Sequence, residues 1–327
     1  MINFLALVFG LLLLLVGGTL VVRGASEIAC RFGVSPLIVG LTIVGFGTSA
    51  PELAVNISGA LHGVTDLAFG NVVGSNISNM GLVLGAAALM MPITIQGQFV
   101  RREVPLLLLA TTVMTVMALD GPLDGRAALI GRSEAIILVL LFLIFVYVNV
   151  LDFSRARRPD PLILDIEETP LVNTKPQGQA SWLLVVLGIV LLLIGSDMTV
   201  RHGSELALHL GLSVTIVGLF IVAVGTSLPE LATSAIAAAR NESDLALGNV
   251  VGSNIFNSLI VLPASALVHD IPVPHGGIGD LVLSWCLVAI LLPVFIFGQA
   301  RMGRGTGLFL LIVYFGYAIV RTLGDQP

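Results

Sequence analysis

Residues 45–56 read GFGTSAPELAVN and residues 223–234 read AVGTSLPELATS. Each lies inside an apolar stretch long enough to cross a bilayer, and each carries a glutamate there. A carboxylate at that depth costs about 2.5–3.5 kcal/mol on insertion scales, so a buried glutamate is by default a functional hypothesis. Proline compounds the oddity. Pro51 and Pro229 have no N–H, so the carbonyls of Gly47 and Gly225 lose their helical partners and the turns open. Bare carbonyls at membrane depth are tolerated where they are buried in protein or line a cavity, and a cation is one way to satisfy them. Thr48, Ser49 and Glu52 share one helical face by their three- and four-residue spacings, and Thr226, Ser227 and Glu230 repeat the pattern. Ser75 and Asn79 stand four apart in a following apolar run, as do Ser253 and Asn257. Carboxylate, hydroxyl, amide and backbone oxygens, with no thiol or imidazole among them, suit hard cations such as Ca2+ and Na+ and disfavour transition metals. The plainer alternative is that a hydroxyl beside a transmembrane proline bonds a backbone carbonyl.

The elements that must hold these residues are legible as hydropathy. The chain has 327 residues, 56% of them hydrophobic and 11% charged, with a mean hydropathy of +1.04. A soluble domain is roughly 25% charged, so the composition predicts an all-α integral membrane protein. Apolar runs at about 4–22, 36–61, 67–91, 104–119, 133–151, 182–200, 212–239, 245–268, 279–298 and 306–321 predict ten transmembrane helices. The first run lacks the basic flank of a signal peptide and is echoed near residue 190, so it reads as the first helix. Cys30 and Cys286 fall in or beside spans and offer neither a disulfide framework nor metal spacing. The net charge of −5 sits mostly in short connections, and nothing in it points to nucleic acid.

A shift of 178 residues aligns IVGLTIVGFGTSAPELAVN at 38–56 with IVGLFIVAVGTSLPELATS at 216–234, and GNVVGSNISN at 70–79 with GNVVGSNIFN at 248–257, without a gap. The duplication predicts a first membrane repeat of five helices at 1–151, a linker at 152–180 and a second repeat of five helices at 181–327. Equivalent segments lie five crossings apart. An odd number of crossings reverses direction, so the two repeats are predicted to have inverted topology, with a site near the midplane between them. Gly70 with Gly74, and Gly248 with Gly252, give G-x-x-x-G spacings that let helices approach closely. Arginine and lysine concentrate on one face, including Arg101, Arg102, Arg155, Arg157, Arg158 and Lys175, which makes that face cytoplasmic and puts both termini outside. Arg23 with Glu27, and Arg201 with Glu205, read as interfacial pairs at i,i+4 spacing.

GTSAPE with GNVVGSNISN, repeated as GTSLPE with GNVVGSNIFN, resembles the paired alpha-repeats of the cation/calcium exchanger superfamily, in particular its prokaryotic sodium/calcium exchanger-like members. The resemblance implies Glu52 and Glu230 as central Ca2+ ligands, with Thr48, Ser49, Thr226 and Ser227 around them. It implies flanking Na+ sites from Ser75, Asn79, Ser253 and Asn257 with the carbonyls of Gly45 and Ala223. At 257 the chain departs from the sodium/calcium exchangers, which carry aspartate where it has asparagine, leaving two carboxylates in place of three acidic groups. The function expected is a secondary antiporter that exchanges Ca2+ for Na+ across a prokaryotic plasma membrane, with no cofactor, no obligate protein partner and no enzymatic activity. The alternative is a proton-coupled exchanger, Ca2+/H+ or Na+/H+, in which a buried glutamate carries the proton. A passive channel fits inverted repeats less well, and an enzyme would need a motif such as H-E-x-x-H that is absent here.

Overall fold

The computed structural model describes residues 2–63, 65–94, 97–119, 128–156, 178–209, 225–274, 276–297 and 301–324. The described helices are, in chain order, α1 (Ile2–Phe32), α2 (Pro36–Val39), α3 (Gly45–Thr48), α4 (Ala50–Leu61), α5 (Asp66–Ser78), α6 (Leu84–Met90), α7 (Gly97–Met117), α8 (Arg132–Ala156), α9 (Gly178–His209), α10 (Leu228–Ala239), α11 (Ser243–Phe256), α12 (Leu262–Val268), α13 (Gly277–Ala289), α14 (Leu291–Phe297) and α15 (Arg304–Gly324). Three π-helical turns interrupt them. Gly40–Val44 joins α2 to α3, Asn79–Val83 joins α5 to α6, and Asn257–Val261 joins α11 to α12. Two antiparallel patches of two residues per strand tie early to late chain. Ile93–Thr94 pairs with Arg301–Met302, and Leu129–Ile130 pairs with Ile271–Pro272.

The chain is a helical membrane protein. Seven described helical segments are long and apolar enough to span a bilayer, and Pro36–Thr48 with Ala50–Leu61 makes an eighth as a span bent by 43°. Large apolar side chains such as Phe4, Leu12, Leu143, Leu183, Ile312 and Val320 are exposed on the outer helices, where lipid rather than water satisfies them. Of the two further expected runs, 104–119 lies largely within α7, whose early turns carry Arg101, Arg102 and Glu103. The start of the run at 212–239 falls outside the described residues, and its end is α10. Most of the expected linker, 157–177, also lies outside them.

The spans at 68–90 and 243–268 are 78% and 89% buried, against 22–39% for the other long helices, so these two repeat-equivalent elements form the centre. On the flank, α1 and α9 pack through glycine notches. A Cβ on Gly17 would stand 2.8 Å from the Gly188 carbonyl oxygen, and one on Gly188 2.7 Å from that of Gly17; Gly10 and Gly195 meet in the same way at 3.0 and 2.8 Å. Lower numbers on α1 meet higher numbers on α9, so the helices run antiparallel. Gly10 and Gly188 are equivalent under the 178-residue shift, as are Gly17 and Gly195. The contact is therefore unchanged when its partners are exchanged, which is the signature of a local two-fold.

Candidate cation-binding site

The predicted break is present, and it lies at the serine before the proline dipeptide. Ser49 has φ −88° and ψ 9°, and Ser227 has φ −90° and ψ 6°. Both leave the helical basin for the sparsely populated bridge region, and α4 and α10 restart with Pro51 and Pro229 in their first turn, where a missing N–H costs nothing. Glu52 and Glu230 thus fall in the first turns of α4 and α10, where the helix dipole favours negative charge.

Both glutamates are buried, at 1% and 0% exposure, and so are Thr48, Ser49, Ser75, Asn79, Ser227, Ser253 and Asn257. Side chains from the two halves meet there. The Ser49 hydroxyl donates to Glu230 Oε1 at 3.0 Å. The Ser253 hydroxyl lies 3.3 Å from the same oxygen and 3.1 Å from the Gly45 carbonyl. Thr48 Oγ1 stands 3.3 Å from Ser253 Oγ, 3.1 Å from Asn249 Oδ1 and 3.1 Å from the Val44 carbonyl. Gly45, Thr48, Ser49, Glu230 and Ser253 therefore form one connected oxygen cluster. The remaining predicted residues frame it symmetrically: α4, which carries Glu52, packs on the π-turn that begins at Asn257, while α10, which carries Glu230, packs on the π-turn that begins at Asn79. Thr226 is half-buried in an adjoining cavity. Ala223 lies outside the described residues.

Several of these oxygens lack partners. Glu52 Oε2, Glu230 Oε2, Ser227 Oγ, Asn79 Oδ1 and Asn257 Oδ1 are buried without a hydrogen-bond partner among the described residues. Buried polar groups are almost always paired, because leaving one unmade costs about 1–3 kcal/mol and more for a charge. A cluster of orphaned acceptors drawn from both halves has the chemistry of a dry oxygen cage for a hard cation. Close backbone approach makes the cage possible. Cβ atoms on Gly248 and Gly252 would stand 2.6 and 2.4 Å from the carbonyl oxygens of Leu37 and Leu41, so these two glycines do the work expected of the spacing. The partners of Gly70 and Gly74 under the repeat would fall near 215–219, outside the described residues.

The expectation of free carbonyls needs one correction. The Gly225 carbonyl is taken by the Ser196 hydroxyl of α9 at 2.6 Å, so a side chain rather than a cation satisfies it. The repeat equivalent of Ser196 is Gly18, which has no side-chain hydroxyl to donate. A second set of residues was not singled out from the sequence: Asn71 donates to Asn56 Oδ1 at 2.8 Å, Asn56 to the Ala68 carbonyl at 3.2 Å, Asn249 to Ser234 at 2.9 Å, and Ser234 to the Ala246 carbonyl at 3.3 Å. These equivalent chains brace α4 to α5 and α10 to α11. Their signal was Asn71 and Asn249, identical in both copies and polar within an apolar run.

The sequence profile described as sodium/calcium exchanger protein matches residues 2–151 and 180–323. The chain belongs to the sodium/calcium exchanger family. Among relatives, it is 35% identical over 244 residues to the inner membrane protein YrbG of Escherichia coli, covering 73% of this chain and 71% of that one. It is 29% identical over 343 residues to the sodium/calcium exchanger MaX1 of Methanosarcina acetivorans, covering 98% of each. Among solved structures, the sodium-calcium exchanger NCX_Mj superposes with a TM-score of 0.81 at 26% identity, covering 100% of this chain and 99% of that one. The match to the sodium/calcium exchanger family extends over both halves and leaves out the segment between them.

Proposed function

We propose that this chain is a secondary antiporter that exchanges Ca2+ for Na+ by alternating access, through ten helices in two inverted five-helix repeats. In this reading it lies in a prokaryotic plasma membrane with both termini outside, works without a resident cofactor or protein partner, and performs no enzymatic chemistry. The observation that carries the proposal is the cage itself: hydroxyls of Ser49 and Ser253 on Glu230, with a partnerless buried oxygen on each of Glu52 and Glu230. Two ionised carboxylates in a dry pocket are poorly stable alone and are neutralised by one Ca2+ or by two Na+. Exchange follows, because the empty site resists reorientation and each filled form permits it. The names of MaX1 and NCX_Mj, both sodium/calcium exchangers, support the choice of ions.

Asn257 favours a second reading. With amide in place of a third acid, a proton on one glutamate is another route to neutrality, and the antiporter is then proton-coupled. Uptake of labelled Ca2+ into proteoliposomes decides between them. Outward Na+ gradients at uniform pH are expected to drive uptake, and an outward H+ gradient without Na+ is expected to drive little; the reverse pattern overturns the Na+ reading. Ser253→Ala removes one hydroxyl beside Glu230 while leaving both charges. Its half-saturating Ca2+ concentration is expected to rise about 3- to 10-fold, the size of one neutral ligand contact.

A further inference from the structure

Asp197 sits inside the α9 stretch Ala180–Gly203, one of the spanning segments, and is not part of the oxygen cage. Its side chain is 56% exposed. A carboxylate turned toward lipid within a span would cost about 2.5–3.5 kcal/mol. Asp197 instead lines a cavity of about 500 Å3 together with Pro51, Ala54, Ser196, Gly225 and Thr226. Pro51 adjoins Glu52, and Thr226 adjoins Ser227 and precedes Glu230 by one helical turn. The cavity therefore runs from an exposed carboxylate to the outer wall of the oxygen cage. The Ser196 bond to the Gly225 carbonyl, next along the chain from Asp197, ties α9 to the broken helix and fixes the carboxylate there.

The partner of Asp197 is not the one that the sequence suggested for Arg201. Arg201 Nε lies 2.7 Å from Asp197 Oδ1, reaching back one turn instead of forward to Glu205. An acid placed N-terminal to its base is the better helical orientation. With the arginine side chain 72% exposed, such a pair is worth about 0–1 kcal/mol, so an incoming cation can displace it. Nothing equivalent exists in the first half. The counterparts of Ser196, Asp197 and Arg201 are Gly18, Thr19 and Arg23, and Arg23 pairs forward with Glu27 at 3.0 Å.

We infer that Asp197 is a docking site for the transported cation on one side of the membrane only, with Arg201 as the counter-ion that the cation displaces on its way to Glu52 and Glu230. The inference rests on the exchange reading and adds to it a functional asymmetry between the two faces. Ca2+ uptake by the full chain, measured in proteoliposomes of sorted orientation, tests it. With Ca2+ presented on the Asp197 side, Asp197→Asn is expected to raise the half-saturating concentration about 3- to 10-fold with the maximal rate little changed, the scale on which a funnel charge concentrates substrate. The shift should shrink in high choline chloride, which screens without being carried. Asp197→Glu should restore the native value, and Arg201→Gln should lower it. Presented from the opposite side, Ca2+ should meet all three variants as it meets the native protein. Equal shifts from both sides, or none with Asp197→Asn and Arg201→Gln, would overturn the docking site while native Na+-driven uptake leaves the exchange reading standing. Absence of that native uptake would overturn both.

Discussion

Glu230→Gln is expected to lower Na+-driven Ca2+ uptake in proteoliposomes at least 100-fold, and Glu52→Gln to do the same. Glutamine keeps the shape of the side chain, and its carbonyl oxygen can still accept from Ser49 or Ser253, which now meet Glu230 Oε1 at 3.0 and 3.3 Å. The charge is lost, and one acceptor oxygen becomes an amide donor. A divalent cation in a buried cage then faces one carboxylate instead of two, and a 100-fold loss corresponds to about 2.8 kcal/mol, a modest share of what an uncompensated charge costs out of water. Stability should move the other way. The Oε2 atoms of both residues are buried without a hydrogen-bond partner among the described residues, and the two carboxylates share one dry site, so neutralising one should leave the melting temperature unchanged or raise it. Added Ca2+ should raise the melting temperature of the native protein by mass action and fail to raise that of either variant. Native-level uptake in either variant would remove the two glutamates from the mechanism, whereas lost uptake with a lowered melting temperature would point to unfolding instead of a lost ligand.

The repeat is what made these two residues legible. Aligning Ser49 with Ser227 and Glu52 with Glu230 needs only the 178-residue shift, and the structure gives the two serines nearly the same dihedral angles. The position of the break was less visible, since proline announces a lost hydrogen bond but not which preceding residue leaves the helix. Turns of π-helix at Asn79–Val83 and Asn257–Val261 left no trace in hydropathy, because a shift from i−4 to i−5 bonding depends on packing around the turn and not on a residue type. They re-aim two residues that the spacing had selected for another reason. Interactions between distant helices were illegible for the same cause: Ser196 reaches Gly225 across 29 residues and a change of element. The glycine at 252 was read as a packing residue from its spacing alone, and the partner it packs against, Leu41, could not be named.

Gly252→Val is expected to disable transport without touching a charged group. A Cβ there would stand 2.4 Å from the Leu41 carbonyl oxygen and 2.7 Å from the Leu41 Cα, and both belong to the backbone of the π-turn Gly40–Val44, which has no rotamer to yield. The helices must move apart. Ser253 follows immediately, and its hydroxyl now spans the Gly45 carbonyl at 3.1 Å and Glu230 Oε1 at 3.3 Å, so a separation of even 1 Å breaks contacts that are already at full length. Overpacking of this kind costs about 1–3 kcal/mol of stability, visible as a lower melting temperature, and the displaced ligands should cost at least 10-fold in Ca2+ uptake. Gly316→Ala supplies the contrast: that glycine lies within α15, exposed, with no described atom within 4 Å of an added Cβ, so the alanine should be neutral or stabilising by up to about 1 kcal/mol. If Gly252→Val transported normally, the α11 backbone would not be what sets the distance between the two halves of the cage, and the close approach at Leu41 would be packing without consequence for the ion.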